Sequence, residues 1–204
     1  MKTLIAATVL AVAFAQGSGA RAAAAVGQPA PAFSAVDTTG KTVQLSDFKG
    51  RHVVLEWVNP ECPFVDKHYG AANMQATQKD ATSQGVVWLA INSTTPEHGD
   101  YKKPAEMAQW MKAQKAAASA TLMDSDGRIG RAYGARTTPH MYIVDPQGKL
   151  VYAGGIDNRP TADPADIPGA TNHVKLALAE ALAGKTISQA ATRPYGCSVK
   201  YSNL

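Results

Sequence analysis

Apolar residues form short continuous runs along the chain, separated by segments rich in glycine, proline and polar residues. Runs of this length, bounded by turn residues, are typical of strands buried in a sheet. Residues 32–45 instead alternate apolar and polar side chains on either side of a turn at Thr39-Gly40, and this alternation predicts a β-hairpin. The runs that predict buried strands are 53–58, 85–92, 121–123, 141–145 and 150–153.

Segments with apolar residues at helical spacing lie between and after these runs. The first begins at Cys62, and Pro63 suits the first turn of a helix. The order of elements predicts an α/β domain with a mixed central sheet flanked by helices on both faces. Residues 184–204, here called the tail, show no clear periodicity and carry Cys197. The predicted helices are 62–78, 103–114, 126–133 and 173–183.

The first residues have the layout of a signal peptide. Lys2 precedes an uncharged run over residues 3–15 and a stretch of small residues over 17–25. We expect residues 1–24 to be removed near Ala24 and the mature chain to be periplasmic or secreted, with no stable membrane insertion. The alternative is an uncleaved membrane anchor, but the run is shorter than the ~20 residues that a spanning helix needs.

Composition indicates one ordinary globular core, since 45% of the 204 residues are hydrophobic and 18% are charged. We expect a single domain over residues 25–158, followed by a C-terminal helix and tail over 159–204. The 20 basic and 16 acidic residues are scattered, which predicts no nucleic-acid partner. The five histidines lack the spacing of metal ligands, so neither a metal nor another cofactor is expected.

Cys62 is the strongest candidate for a reactive residue. It follows a strand and begins a helix, so its sulfur should lie at the carboxyl edge of the sheet, where open α/β folds place their sites. Unpaired N–H groups and the helix dipole stabilise a thiolate at such a helix N-terminus. The alternative is an inert cysteine buried in the core. Its position favours a nucleophile.

Four motifs allow a comparison with known families. They are WVNPECPFV at 57–65, Thr138-Pro139, YIVD at 142–145 and RPYGCSVKY at 193–201. Together they resemble the thioredoxin-like redoxins, in particular the peroxiredoxin-like alkyl hydroperoxide reductase/thiol-specific antioxidant family. The resemblance implies a thioredoxin fold with an N-terminal β-hairpin and a C-terminal tail.

The resemblance also implies roles for residues around Cys62. Pro139 would be a cis-proline facing the cysteine, and its position at a loop-to-strand junction agrees. Thr138 would offer backbone groups on which a substrate peptide lies as an added strand. Trp57, Pro63 and His140 would complete the substrate-binding surroundings, although His140 is equally well explained as a packing residue.

Glu56 is an acid inside an otherwise apolar strand, six positions before Cys62. The resemblance implies a buried proton acceptor, and burial would raise its pKa towards neutrality. The alternatives are that strand alternation turns Glu56 to solvent or that it pairs with a lysine.

The sequence also departs from the patterns it resembles. Val65 stands where thioredoxins carry their second cysteine, and Asn59 and Leu55 replace the threonine and proline of peroxiredoxins. Cys197 is then the natural resolving thiol, or alternatively half of a structural disulfide.

We therefore expect an exported thiol-disulfide oxidoreductase that uses Cys62 as nucleophile and Cys197 as resolving thiol. Its partners would be a protein or small-molecule thiol, disulfide or hydroperoxide, together with an unidentified thiol reductant. The alternatives are a thiol peroxidase on the same cysteine and a non-catalytic module that binds a peptide or partner protein.

Overall fold

A computed structural model describes residues 23–202. The predicted signal peptide lies outside these residues except for Ala23 and Ala24. The strands are β1 Ser34–Asp37, β2 Thr42–Gln44, β3 Val53–Trp57, β4 Val87–Asn92, β5 Ala120–Met123, β6 Thr137–Thr138, β7 His140–Val144, β8 Leu150–Gly154 and β9 Cys197–Ser198. The α-helices are α1 Pro63–Gly70, α2 Asn73–Ser83, α3 Pro104–Ala113, α4 Arg128–Tyr133 and α5 His173–Leu182, and Leu45–Phe48 and Pro164–Gly169 form 3-10 helices.

A seven-stranded sheet forms the centre of the protein, in the order β2-β1-β5-β4-β3-β7-β8. Strands β3, β4 and β5 are parallel, whereas β7 pairs antiparallel with β3 and β8. Every residue of β3, β4 and β7 is buried, because separate apolar clusters cover the two faces of the sheet. The predicted mixed sheet and its N-terminal hairpin are confirmed.

The helix predicted over residues 62–78 is wrong in one respect, because the structure divides it into α1 and α2. Ala72 lies between them in the left-handed conformation, with φ 57°. The Ala72 N–H donates to the carbonyl of Tyr69, a hydrogen bond that closes the end of α1. The Ala72 carbonyl accepts the first hydrogen bond of α2. The apolar spacing continues across this break, so periodicity alone does not reveal it.

The described part of the tail is bound to the body of the protein on both sides of Cys197. Before it, the Thr192 hydroxyl contacts the Tyr152 hydroxyl and the Gly155 N–H. After it, the Tyr201 hydroxyl donates to the carbonyl of Ala135, and its ring lies over Gly127 and Gly130, where a Cβ would overlap it. The tail lacks sequence periodicity, yet its described part is docked on the body of the protein.

The tail also contributes a strand that sequence periodicity does not predict. Strand β9 pairs antiparallel with β6, with Cys197 opposite Thr138 and Ser198 opposite Thr137. Within residues 23–202, no helix has both the length and the apolar composition needed to cross a membrane.

Candidate active site

Cys62 is the N-cap residue of α1, and its side chain is 1% exposed. The loop after β3 is shaped by Asn59, whose side-chain oxygen accepts the N–H of Glu61 at 3.0 Å and whose carbonyl accepts the N–H of Cys62 at 3.1 Å. Pro63 occupies the first helical turn, where its missing N–H costs nothing. Local backbone chemistry thus places the sulfur at the positive end of α1, as predicted.

Thr138 and Pro139 lie directly against this sulfur. The Thr138–Pro139 peptide bond is cis, and the Cys62 thiol donates to the carbonyl of Thr138 at 3.0 Å. The predicted cis-proline is confirmed. The carbonyl that faces Cys62 therefore belongs to the residue whose backbone pairs with β9.

Cys197 reaches the same place from the other end of the chain. Both cysteines are free thiols. The pKa of Cys197 is raised to about 12, mainly by burial and in addition by the neighbouring Cys62 thiol. Gly196 permits the approach, because its φ is 133° and a Cβ there would overlap the Thr138 carbonyl. The structure thus brings together Cys62, Thr138, Pro139 and Cys197.

Glu56 is completely buried on the face of the sheet that carries Cys62. Its carboxylate accepts hydrogen bonds from the Tyr69 hydroxyl at 2.8 Å, the Gln78 amide at 3.0 Å and the Trp88 indole at 2.7 Å. The alternatives of exposure to solvent or pairing with a lysine are wrong. Burial raises the pKa of Glu56 above its usual 4.5, although the three hydrogen bonds act in the opposite direction.

This raised pKa gives a testable pH dependence. Because the folded protein binds the Glu56 proton more tightly than the unfolded chain, its contribution to stability is complete below pH 4.5 and is lost as pH rises through the folded-state pKa. Glu56→Gln does not titrate. We expect the unfolding free energy of the wild type, minus that of Glu56→Gln, to fall between pH 4.5 and 8 in urea titrations.

Two buried histidines also make stability depend on pH, between about pH 4 and their usual pKa of 6.5, so the variant must be compared with the wild type at each pH. Burial lowers the pKa of His68 and of His140 to about 4, and both contribute equally to the two proteins. A free-energy difference that stays constant across this range contradicts the raised pKa of Glu56.

Two residues of the predicted substrate surroundings are not brought to Cys62. Trp57 is fully buried in the cluster on the opposite face of the sheet, where its indole donates to the Ser93 hydroxyl at 3.0 Å. His140 pairs with Trp57 in the sheet and contacts the Tyr142 hydroxyl at 3.2 Å through Nδ1. Their positions correspond to packing residues.

Sequence reasoning missed a hydrogen-bonded chain that holds the tail next to Cys197. The Asn73 amide lies 2.8 Å from Nδ1 of His68, and Nε2 of His68 lies 3.1 Å from the Tyr195 hydroxyl. That hydroxyl donates to Asp157 Oδ1 at 2.5 Å. Tyr195 belongs to the quoted tail motif, which is the one signal that could have drawn attention to it.

Comparisons with known proteins agree with this geometry. Thiol-disulfide oxidoreductase ResA from Bacillus subtilis (strain 168) is 30% identical over 125 residues, which cover 61% of this chain. The matched region spans 64% of the length of that relative.

Two solved structures are similar. An uncharacterized conserved protein from Geobacillus kaustophilus is 27% identical, with a TM-score of 0.75 over 88% of this chain and 94% of that one. The thioredoxin domain of a thiol-disulfide oxidoreductase from Bacteroides vulgatus is 22% identical, with a TM-score of 0.50 over 71% of this chain and 96% of that one.

The predicted thioredoxin fold is confirmed by these structural likenesses. The model of the AhpC/TSA family matches residues 26–153, which is more than half of the chain and includes β1, Cys62 and the cis-proline. The chain therefore belongs to the AhpC/TSA family of redoxins.

Proposed function

We propose that this protein is an exported thiol-disulfide oxidoreductase in which Cys62 is the nucleophile and Cys197 is the resolving thiol. The observation that carries the proposal is that both free cysteines meet at Thr138, one from the N-terminus of α1 and one from the docked tail. The similarity to a thiol-disulfide oxidoreductase supports the same chemistry.

The environments of the two sulfurs support an order of events in which Cys62 acts first. The thiolate is the attacking species, and the raised pKa of Cys197 keeps that thiol protonated. Cys62 lies at the N-terminus of α1, the positive end of the helix dipole. Cys62 therefore attacks one sulfur of a disulfide, the sulfur–sulfur bond breaks, and one thiolate leaves and takes up a proton.

The second step transfers the bond to Cys197. Once Cys62 is part of a mixed disulfide it has neither a charge nor an S–H group, so two contributions that raise the Cys197 pKa disappear. Cys197 then loses its proton and attacks the Cys62 sulfur, which releases the second thiolate. Two electrons pass from the protein to the substrate, and the protein is left with a Cys62–Cys197 disulfide.

Glu56 is proposed as the acceptor of protons released in these steps. It lies on the same face of the sheet as Cys62, its pKa is raised, and its hydrogen-bond partner Tyr69 is part of the helix that Cys62 begins.

The test is a single turnover followed by mass spectrometry. Fully reduced protein is mixed with one equivalent of hydroxyethyl disulfide. The wild type should form the Cys62–Cys197 disulfide, Cys197→Ser should accumulate a mixed disulfide on Cys62, and Cys62→Ser should react no faster than free cysteine. Accumulation of the mixed disulfide in the wild type, to the same extent as in Cys197→Ser, would show that Cys197 does not resolve it.

The same protein distinguishes a peroxidase. We expect hydrogen peroxide to oxidise Cys62 no faster than it oxidises free cysteine. Asn59 stands where peroxiredoxins carry a threonine, and its side chain is already engaged by the N–H of Glu61 and the carboxylate of Asp100. A peroxide reaction that is faster than the disulfide reaction would overturn the proposed function.

A further inference from the structure

The edge on which an extended substrate peptide would lie is already occupied. The backbone of Thr137 and Thr138 pairs with Ser198 and Cys197 of the tail. A polypeptide can add itself as a strand at this edge only after β9 has been displaced. While the tail is docked, a different route must lead substrate to the thiol pair.

A cavity of about 580 Å³ lies beside the backbone that leads into the site. Its walls include Thr137 and Gly196, the residues that immediately precede Thr138 and Cys197. Cavities of this size hold small molecules. A molecule bound there lies against the two backbone segments that carry the reactive site.

The cavity wall contains a buried carboxylate with unused hydrogen-bonding capacity. Asp157 is 3% exposed, and its Oδ1 accepts from the Tyr195 hydroxyl and from the N–H of Arg159. Its Oδ2 is buried and has no hydrogen-bond partner among the described residues. Nε2 of His68 is 3.9 Å away, and the pKa of about 4 keeps this imidazole neutral at physiological pH.

His173 lines the same cavity, and its buried Nδ1 has no hydrogen-bond partner within residues 23–202. Unsatisfied buried polar atoms are costly unless a ligand or water completes them. Arg193 also lines the cavity, but it is exposed, so solvent screens its charge more strongly than that of Asp157.

We infer that this cavity binds small disulfides bearing an ammonium group, with Asp157 receiving the ammonium and the thiol pair reducing the disulfide. The inference rests on the proposed function, because the reduction itself is the two-step exchange at Cys62 and Cys197. An ammonium group supplies the hydrogen-bond donors and the positive charge that Oδ2 lacks. The substrate class is thus a small amino-thiol disulfide and not an extended polypeptide.

The test compares two disulfides that differ in one terminal group. Cystamine carries ammonium groups where hydroxyethyl disulfide carries hydroxyls. Second-order rate constants are measured for reduced protein with each, and their ratio is corrected by the ratio found for free cysteine. In the wild type we expect a corrected preference for cystamine of about tenfold or more, the effect of one charge-assisted hydrogen bond.

Asp157→Asn should abolish this preference. The control is Asp163→Asn, which removes the charge of an exposed aspartate at the start of the 3-10 helix Pro164–Gly169, and it should retain the preference. Asp157 also accepts a hydrogen bond from Tyr195, so Asp157→Asn could disturb tail docking. The rate constant with hydroxyethyl disulfide measures any such damage. An equal ratio in wild type and Asp157→Asn overturns the inference and leaves the proposed function standing. Failure of hydroxyethyl disulfide to react at Cys62 overturns the proposed function itself.

Binding can be measured without reaction. 2-(Methylthio)ethylamine carries the ammonium group but no disulfide, and we expect it to shift the backbone amide resonances of Asn158, Tyr195 and Gly196 in the wild type and not in Asp157→Asn. Identical titrations of the two proteins would contradict the assignment of Asp157.

Discussion

Gly196→Ala should release β9 and raise the rate at which a polyethylene glycol maleimide, too large for the cavity beside the tail, labels Cys62 by roughly tenfold or more. The introduced Cβ would overlap the carbonyl of Thr138, and alanine rarely adopts the φ of 133° found there. Overpacking of this kind costs about 1–3 kcal/mol, enough to populate the undocked tail. Labelling is followed on the peptide that contains Cys62, because Cys197 reacts with the same reagent.

The matched control is Gly184→Ala, in the same segment of the chain. Gly184 also has positive φ, at 68°, but a Cβ there meets nothing within 4 Å. This variant places alanine in the left-handed region, which it can adopt at modest cost, and introduces no overlap, so Cys62 should remain protected. Equal labelling rates in the two variants would show that tail docking does not protect Cys62. Formation of the internal disulfide should be slower in Gly196→Ala than in the control.

Glu56→Leu should lower the free energy of unfolding by about 2–6 kcal/mol, because two of the three donors lose the acceptor they use and each loss costs about 1–3 kcal/mol. The third donor, the Gln78 amide, keeps the Tyr69 hydroxyl as a partner. The Trp88 indole has Glu56 as its acceptor, and the Tyr69 hydroxyl donates to the same carboxylate. Urea denaturation at pH 7 measures the change.

The control is Glu56→Gln, which keeps an acceptor oxygen in the same place. We expect its loss to be clearly smaller than that of the leucine variant. Equal losses would indicate that the volume of the side chain matters here and that the hydrogen bonds do not. The loss is expected in both the thiol and the disulfide form, since Trp88 and Tyr69 donate to the Glu56 carboxylate and not to a sulfur.

The elements that sequence patterns predicted well are those held by local chemistry. The hairpin, the buried strands and the helix that begins at Cys62 depend on neighbouring residues, and so does the cis-proline at a loop-to-strand junction. The face of the sheet on which each side chain of β3 lies was harder to predict. Strand β3 is apolar on both sides, so polarity does not distinguish Glu56, which shares the face of Cys62, from Trp57, which does not.

The features that could not be predicted join distant parts of the chain. Asp157 and Tyr195 are 38 positions apart, and Tyr195 is 127 positions from His68. No periodicity or motif relates these residues before the chain has folded. The same holds for β9, a strand of two residues whose pairing depends on Thr137 and Thr138 being already in place.

The docked tail has a thermodynamic consequence for the thiol pair. The Thr192 hydroxyl and the Tyr201 ring hold the tail through contacts that involve no sulfur, so they act while both cysteines are reduced. Contacts of this kind set a high effective concentration of one thiol at the other. Each tenfold loss in the docked fraction of the reduced protein, equivalent to ~1.4 kcal/mol, would make the reduction potential of the pair about 30 mV less negative. A firmly held tail therefore makes the reduced protein a stronger electron donor.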